Sequence, residues 1–211
     1  MKILSLLKSL VPRPLKTLLR KRREQRELQA WKQAGEPVPP PHIVKQHTIT
    51  RYRERFGYTT LVETGTYLGD MVEAQREAFV RIFSIELSEE LYFRAAKRFQ
   101  RDDHVTIIQG DSSRAIGNLV ADLNRPAIFW LDGHYSGGIT ALGDEVSPIM
   151  HEIDAILHYP QAGHVLLIDD ARLFVEGTGY PTVGAVQARV AALAPHYQLE
   201  ISDDCLQFYP A

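Results

Sequence analysis

The sequence contains very little cysteine: Cys205 is the only one among 211 residues. An intrachain disulfide is therefore excluded, and a reducing, cytoplasmic compartment is favoured. No uninterrupted apolar run reaches the ~18–20 residues that a transmembrane helix needs. Residues 1–8 loosely resemble a signal peptide, but Lys8 interrupts the apolar stretch and no small-residue cleavage site follows. We therefore expect this segment to be retained.

Net charge is also low, at −2, but it is unevenly distributed. Through Ala34 the chain has ten Lys or Arg against two Glu, a local charge of +8, so the remainder carries −10. An acidic globule argues against nucleic-acid binding. We predict a basic helical arm with a proline-rich linker over residues 1–41 and a globular domain over residues 42–211. The arm has apolar residues at helical spacing, namely Leu15, Leu18, Leu19, Leu28 and Trp31. They could contact an anionic membrane surface, the arm's own domain or a second copy of the chain.

Strand and helix signals alternate along the rest of the chain, which predicts an α/β fold with a mostly parallel sheet. The predicted strands are residues 59–63, 81–86, 105–109, 127–131 and 164–168. Helices are predicted at 42–56, 71–80, 148–158 and 183–193, with two more after Ser88 and Ser112. Segments 197–202 and 206–209 alternate around Asp203-Asp204 and predict a closing antiparallel hairpin.

The first predicted strand ends in an acid and turns through glycine into a helix, reading Glu63-Thr64-Gly65-Thr66-Tyr67-Leu68-Gly69. Ligands bind outside the carboxyl ends of parallel strands, so this turn is a candidate pocket. The pattern E-x-G-x-Y-x-G lacks the third glycine of the dinucleotide motif G-x-G-x-x-G. A carboxylate at the mouth suits a cationic ligand better than a pyrophosphate. The alternative is a structural strand–turn–helix with an incidental acid.

This stretch resembles motif I of class I S-adenosylmethionine (SAM) methyltransferases, and the central Tyr67 resembles the cation-dependent O-methyltransferases of the catechol and caffeoyl-CoA type. The resemblance covers roughly residues 59–209. It implies a Rossmann-like, seven-stranded, mostly parallel sheet with helices on both faces. It also implies that the turn, including Thr64, Gly65, Tyr67 and Gly69, binds SAM, with Glu63 holding the methionine ammonium.

Acids also end the next two predicted strands. Glu86 lies 23 residues after Glu63, close to the ~20-residue offset at which an acid reaches a ribose hydroxyl; the alternative is a strand-end cap or salt-bridge partner. The resemblance implies that Asp111 contacts the adenine amino group, with Ser112 nearby. From the residues, we expect Ser112 or Ser113 to cap the following helix. The alternative makes Asp111 itself the N-cap.

Strands four and five deliver Asp132 and the pair Asp169-Asp170 to the same sheet edge. Such carboxylates repel one another unless a positive charge neutralises them, and oxygen ligands suit Mg²⁺ or another divalent cation. The resemblance implies a metal site at these positions. A longer loop after Asp132 departs from the family pattern. The alternative is that Asp169 caps the strand and Asp170 binds Arg172 without metal.

His134, in a glycine-rich segment, is the natural candidate for a general base, with Asp132 beside it. Together these features favour SAM-dependent, metal-assisted O-methylation of a small hydroxylated acceptor. Two other hypotheses stay open: an NAD(P)-dependent oxidoreductase, and a non-catalytic module at a membrane with a vestigial pocket.

Overall fold

The computed structural model describes residues 13–132, 147–158 and 162–211. The strands are β1 Thr60–Thr64, β2 Arg81–Glu86, β3 Val105–Gln109, β4 Ile128–Leu131, β5 Val165–Ile168, β6 Tyr197–Ser202 and β7 Cys205–Pro210. The helices are α1 Arg13–Gln33, α2 His42–Phe56, α3 Asp70–Gln75, α4 Glu89–Phe99, α5 Ser112–Asp122, α6 Ile149–Leu157 and α7 Val183–Leu193. No helix in these ranges is both long and apolar enough to cross a bilayer.

The strands form one seven-stranded sheet in the order β3-β2-β1-β4-β5-β7-β6. Strands β1 to β5 run parallel, while β7 pairs antiparallel with both β5 and β6. The final hairpin turns at Asp203 and Asp204, whose φ angles of 55° and 57° match a two-residue turn of the type that follows strand twist. The predicted fold class, including the C-terminal hairpin, is confirmed.

Each face of the sheet has its own apolar core, because successive strand residues point to opposite sides. In β4, Phe129 belongs to the core that α5, α6 and α7 cover. Trp130 belongs to the opposite core, beneath α2 and α3. All four β4 residues are buried, as an apolar central strand predicts.

Chain order reverses at β1, which lies between β2 and β4. A crevice forms at such a switch point outside the carboxyl ends of the strands, and this is where open α/β sheets bind ligands. The helix that follows β1 is shorter than predicted, ending at Gln75 instead of near residue 80. Beyond Gln75, two carbonyls bond to side chains from elsewhere in the chain: His104 Nε2 lies 2.7 Å from Arg76 O, and Arg53 donates to Ala78 O at 2.7 Å.

The C-terminal half of α1 packs against α2 through Leu28 and Trp31, which contact Ile43 and Val44. A buried hydrogen bond of 3.1 Å from Gln46 to Glu24 joins the same two helices. Three leucines nearer the start of α1 remain exposed, namely Leu15, Leu18 and Leu19. The division of the chain at residue 41 stays a prediction.

Candidate functional site

The turn after β1 depends on left-handed backbone at three positions, Gly65, Tyr67 and Gly69, with φ of 84°, 49° and 75°. Gly69 has a second requirement: a Cβ there would lie 2.7 Å from the ring of Phe99. Glycine therefore lets the turn close against α4. Tyr67, between the glycines, leaves 47% of its surface exposed.

Glu86, at the end of β2, holds this turn in place. Its Oε2 accepts a hydrogen bond from the Tyr67 backbone N–H at 2.7 Å, and its Oε1 accepts one from the Ser88 N–H at 2.9 Å. The strand-end cap considered as an alternative is therefore present. An ionised carboxylate offers about four lone-pair sites, so these two bonds leave capacity for ribose hydroxyls. Its contact with ribose stays a prediction.

Glu63 lies beneath the turn and is only 3% exposed. Ser84 Oγ donates to Glu63 Oε2 at 2.5 Å, and Thr66 Oγ1 lies 2.6 Å from the same hydroxyl. Burial raises the pKa of Glu63 to about 8, which favours the protonated carboxyl at neutral pH. A cation arriving beside it would favour the ionised form. The predicted contact with the ammonium group is consistent with this environment and stays a prediction.

Asp111 is the N-cap of α5, because its Oδ1 accepts from the Ser113 N–H at 2.9 Å and from Ser113 Oγ at 2.7 Å. The expectation that Ser112 or Ser113 would cap this helix is wrong, and the alternative, with Asp111 as the N-cap, is observed. Ser112 itself is buried on the first turn. The adenine contacts of Asp111 and Ser112 stay predictions.

The carboxylates of Asp132, Asp169 and Asp170 meet at the ends of β4 and β5, with oxygen atoms within 4.8 Å of one another. Adjacent parallel strands bring them together, since the Asp169 N–H bonds to Leu131 O at 3.0 Å. Asp169 is 3% exposed, and burial together with the Asp132 charge raises its pKa above the ordinary value. The predicted gathering of these three acids is therefore observed, whereas an ion between them stays a prediction.

Two basic side chains, Lys45 and Arg172, contact this cluster. The sequence analysis did not predict the contact of Lys45. Lys45 Nζ, from α2, forms an ion pair with Asp169 Oδ2 and lies 3.5 Å from Asp170 Oδ1. Burial alone would lower the pKa of Lys45, but the surrounding acids, Asp169 first, raise it above its ordinary value. Arg172 Nη1 bonds to Asp170 Oδ1 at 2.7 Å, which is the contact considered as the metal-free alternative.

Glu152, on α6, is a second group that sequence analysis missed. It is 1% exposed, and its Oε1 has no hydrogen-bond partner within the described ranges. Burial raises its pKa to about 7, and the nearby hydroxyls of Ser112 and Thr64 offset part of that rise. Glu152 also borders a small cleft beside the acidic cluster, whose lining includes Asp132, Ser147, Asp169, Phe174 and Tyr180.

The predicted base, His134, belongs to residues 133–146, which lie outside the described residues. Its role therefore stays a prediction.

Glu152→Gln should flatten the pH dependence of folding stability. The folded-state pKa of about 7 exceeds the ordinary value of 4.5, so the native state binds more protons between these values. Wild-type stability should therefore fall as pH rises from 4.5 to 7, by about 2–3 kcal/mol from this group alone, and glutamine should remove that share. Urea unfolding at pH 5 and pH 8 measures it. If the free energy of unfolding depended on pH in the same way in both proteins, the raised pKa of Glu152 would be ruled out.

No family model and no curated protein matches the sequence. Several solved structures nevertheless share the fold. An O-methyltransferase from Bacillus cereus in complex with SAH, the demethylated product of SAM, matches with a TM-score of 0.60 and 13% identity, over 89% of this chain and 90% of that one. An O-methyltransferase from Streptomyces achromogenes involved in tomaymycin synthesis, in complex with SAM, matches with 0.58 and 15%, over 89% and 88%.

A putative caffeoyl-CoA O-methyltransferase from Staphylococcus aureus matches with a TM-score of 0.56 and 14% identity, over 92% of this chain and 97% of that one. Identities this low establish the fold and not the reaction. The likeness agrees with the fold class predicted from the sequence. The chain therefore has the fold of the class I SAM-dependent methyltransferases, and its structural neighbours include O-methyltransferases in complex with SAM and SAH.

Proposed function

We propose that this protein is a SAM-dependent methyltransferase that methylates a hydroxyl group of a small acceptor. The observation that carries this proposal is the glycine turn after β1. The backbone N–H of Tyr67 in this turn donates to Glu86, the acid that ends β2, at 2.7 Å. This turn lies at the switch point of a sheet whose structural neighbours include enzymes in complex with SAM and SAH. The acids that follow β4 and β5 lie at the same sheet edge.

Binding of SAM would use the three strand-end acids in order. Glu63 would ionise and pair with the methionine ammonium, Glu86 would accept from the ribose hydroxyls, and Asp111 would accept from the adenine amino group. Gly65 and Gly69 allow the backbone to approach the ligand and α4 closely. The sulfonium methyl would be the group transferred, and the acids that follow β4 and β5 lie at the same sheet edge.

The acceptor would enter the cleft beside Asp132, whose walls combine aromatic and acidic side chains, including Tyr180 and Glu152. In the transfer, the carbon–sulfur bond of the sulfonium breaks as the acceptor oxygen forms a bond to the methyl carbon. The acceptor loses its proton, for which His134 is the proposed recipient, and SAH leaves. Most of the rate gain would come from alignment of the oxygen with the methyl group.

A divalent cation is the finer part of the proposal. Asp132, Asp169 and Asp170 supply only oxygen ligands, which suit Mg²⁺. The buried Oδ1 of Asp169 has no hydrogen-bond partner in the described part of the chain, which also fits a ligand there. Bound at these three residues, such an ion would lower the pKa of the acceptor hydroxyl and stabilise its oxyanion.

The test is methyl transfer from radiolabelled SAM to a panel of phenols, sugars and other hydroxylated compounds, with and without Mg²⁺. The proposal expects a labelled product from at least one hydroxyl acceptor. Oxidation of an alcohol with NAD(P)⁺ instead would favour the oxidoreductase alternative, which the missing third glycine argues against. If the protein showed neither activity and did not bind SAM, the non-catalytic alternative would be favoured.

The exposed start of α1 favours a contact with an anionic membrane surface, on the cytoplasmic side if the lone, buried Cys205 reflects a reducing compartment. Leu15, Leu18 and Leu19 are 46%, 47% and 53% exposed and adjoin the basic residues 20–23. Such a helix binds by apolar insertion and attraction to anionic lipid. Co-sedimentation with phosphatidylglycerol vesicles should exceed that with phosphatidylcholine vesicles and fall when all three leucines become serine. Equal recovery, or self-association through these leucines, would overturn this proposal.

A further inference from the structure

The acidic cluster at the ends of β4 and β5 already contains a positive charge, the ammonium of Lys45. This group pairs with Asp169 Oδ2 and lies 3.5 Å from Asp170 Oδ1. The Lys45 side chain is 17% exposed and the Asp169 side chain is fully buried, so solvent screens the pair only weakly. Lys45 therefore occupies the position of a counter-ion to the buried acid.

A divalent ion at the same carboxylates would lie close to this ammonium. Asp169 is common to both, since its Oδ2 contacts Lys45 and its carboxylate belongs to the three-acid cluster. Like charges a few ångströms apart in a partly buried site repel each other, because solvent screens them only in part. The ammonium must therefore either move away from Asp169 or weaken the binding of the ion.

We infer that the ammonium of Lys45 competes with the divalent cation for Asp169 and so lowers the affinity of the site for the ion. The helix α2, which carries Lys45, thereby influences metal binding. The inference deepens the metal part of the proposed function and rests on it. It concerns ion affinity, and so it can be measured without any methyl acceptor.

The test is calorimetric titration of Mn²⁺ into the full-length wild type and into Lys45→Met, Lys45→Arg and Lys97→Met. Methionine keeps the length of the side chain and removes its charge, so Mn²⁺ should bind about tenfold more tightly or better than to wild type. Arginine keeps the charge and should retain weak binding. Lys97 is exposed on α4 and serves as the matched control, with the wild-type affinity expected.

Loss of the ammonium leaves Asp169 without its partner, so Lys45→Met should be less stable than wild type without metal and should gain more from Mn²⁺ in thermal unfolding. A variant that folds only in millimolar Mn²⁺ would support the inference, and one that the ion fails to rescue would contradict it. Equal Mn²⁺ affinity in Lys45→Met and wild type would overturn it directly. Titration of SAH into the same proteins separates the two proposals. Failure of the wild type to bind SAH would contradict the methyltransferase assignment and leave the competition between Lys45 and the ion untouched.

Discussion

Replacing Glu86 by alanine is expected to weaken SAH binding by about 100-fold, or ~3 kcal/mol. Glu86 would lose its bonds to the ribose, and the Tyr67 N–H that it holds at 2.7 Å would lose its acceptor. Both effects act on the same turn, so the loss should be larger than for a single neutral hydrogen bond. Isothermal titration calorimetry with SAH measures the effect.

Glu89→Ala is the matched control, because Glu89 is an exposed acid three residues further along, in the first turn of α4. It should leave the SAH affinity unchanged. If the alanine variants at 86 and 89 bind SAH equally well, and circular dichroism shows both to be folded, Glu86 does not contact the cofactor.

The second large effect is expected at Asp132. Asp132→Ala should abolish the response of methyl transfer to Mg²⁺ while the affinity for SAH stays within about twofold of wild type. The acid belongs to the cluster with Asp169 and Asp170, whereas the cofactor contacts proposed here come from β1, β2 and α5. Initial rates over a Mg²⁺ series, together with SAH titration, separate the two roles.

Asp122→Ala, at the exposed end of α5, controls for loss of a surface carboxylate and should keep the wild-type Mg²⁺ response. A Mg²⁺ response that persists unchanged in Asp132→Ala would remove the proposed metal site, and the methyl transfer would then proceed without it.

Local patterns in the sequence were sufficient to predict most of the fold. The apolar runs that became β4 and β5, the helix-breaking residues between elements and the alternation around Asp203-Asp204 each constrain a short segment on its own. The short α3 was not predictable in this way. The carbonyls beyond its end bond to Arg53 and His104, which are distant in sequence, so no local pattern shows these contacts.

The sequence predicted the site residues that directly follow an apolar strand, such as Asp132 and Asp169. Lys45 escaped because a lysine on an amphipathic helix normally faces solvent, and only tertiary packing reveals its pairing with an acid 124 residues away. A weak signal was present, since Lys45 shares the spacing of i, i+4 with the buried Ile49. Glu152 gave a similar signal, an acid between Ile149 and Ile156 on the apolar face of α6.

Calorimetric titration of the wild-type protein with SAH and, separately, with NAD⁺ would decide between a sulfonium-nucleoside pocket and a dinucleotide pocket at the end of β1. Saturable one-to-one binding of SAH with no heat from NAD⁺ is the predicted result. A folded protein that binds NAD⁺ and not SAH would contradict it.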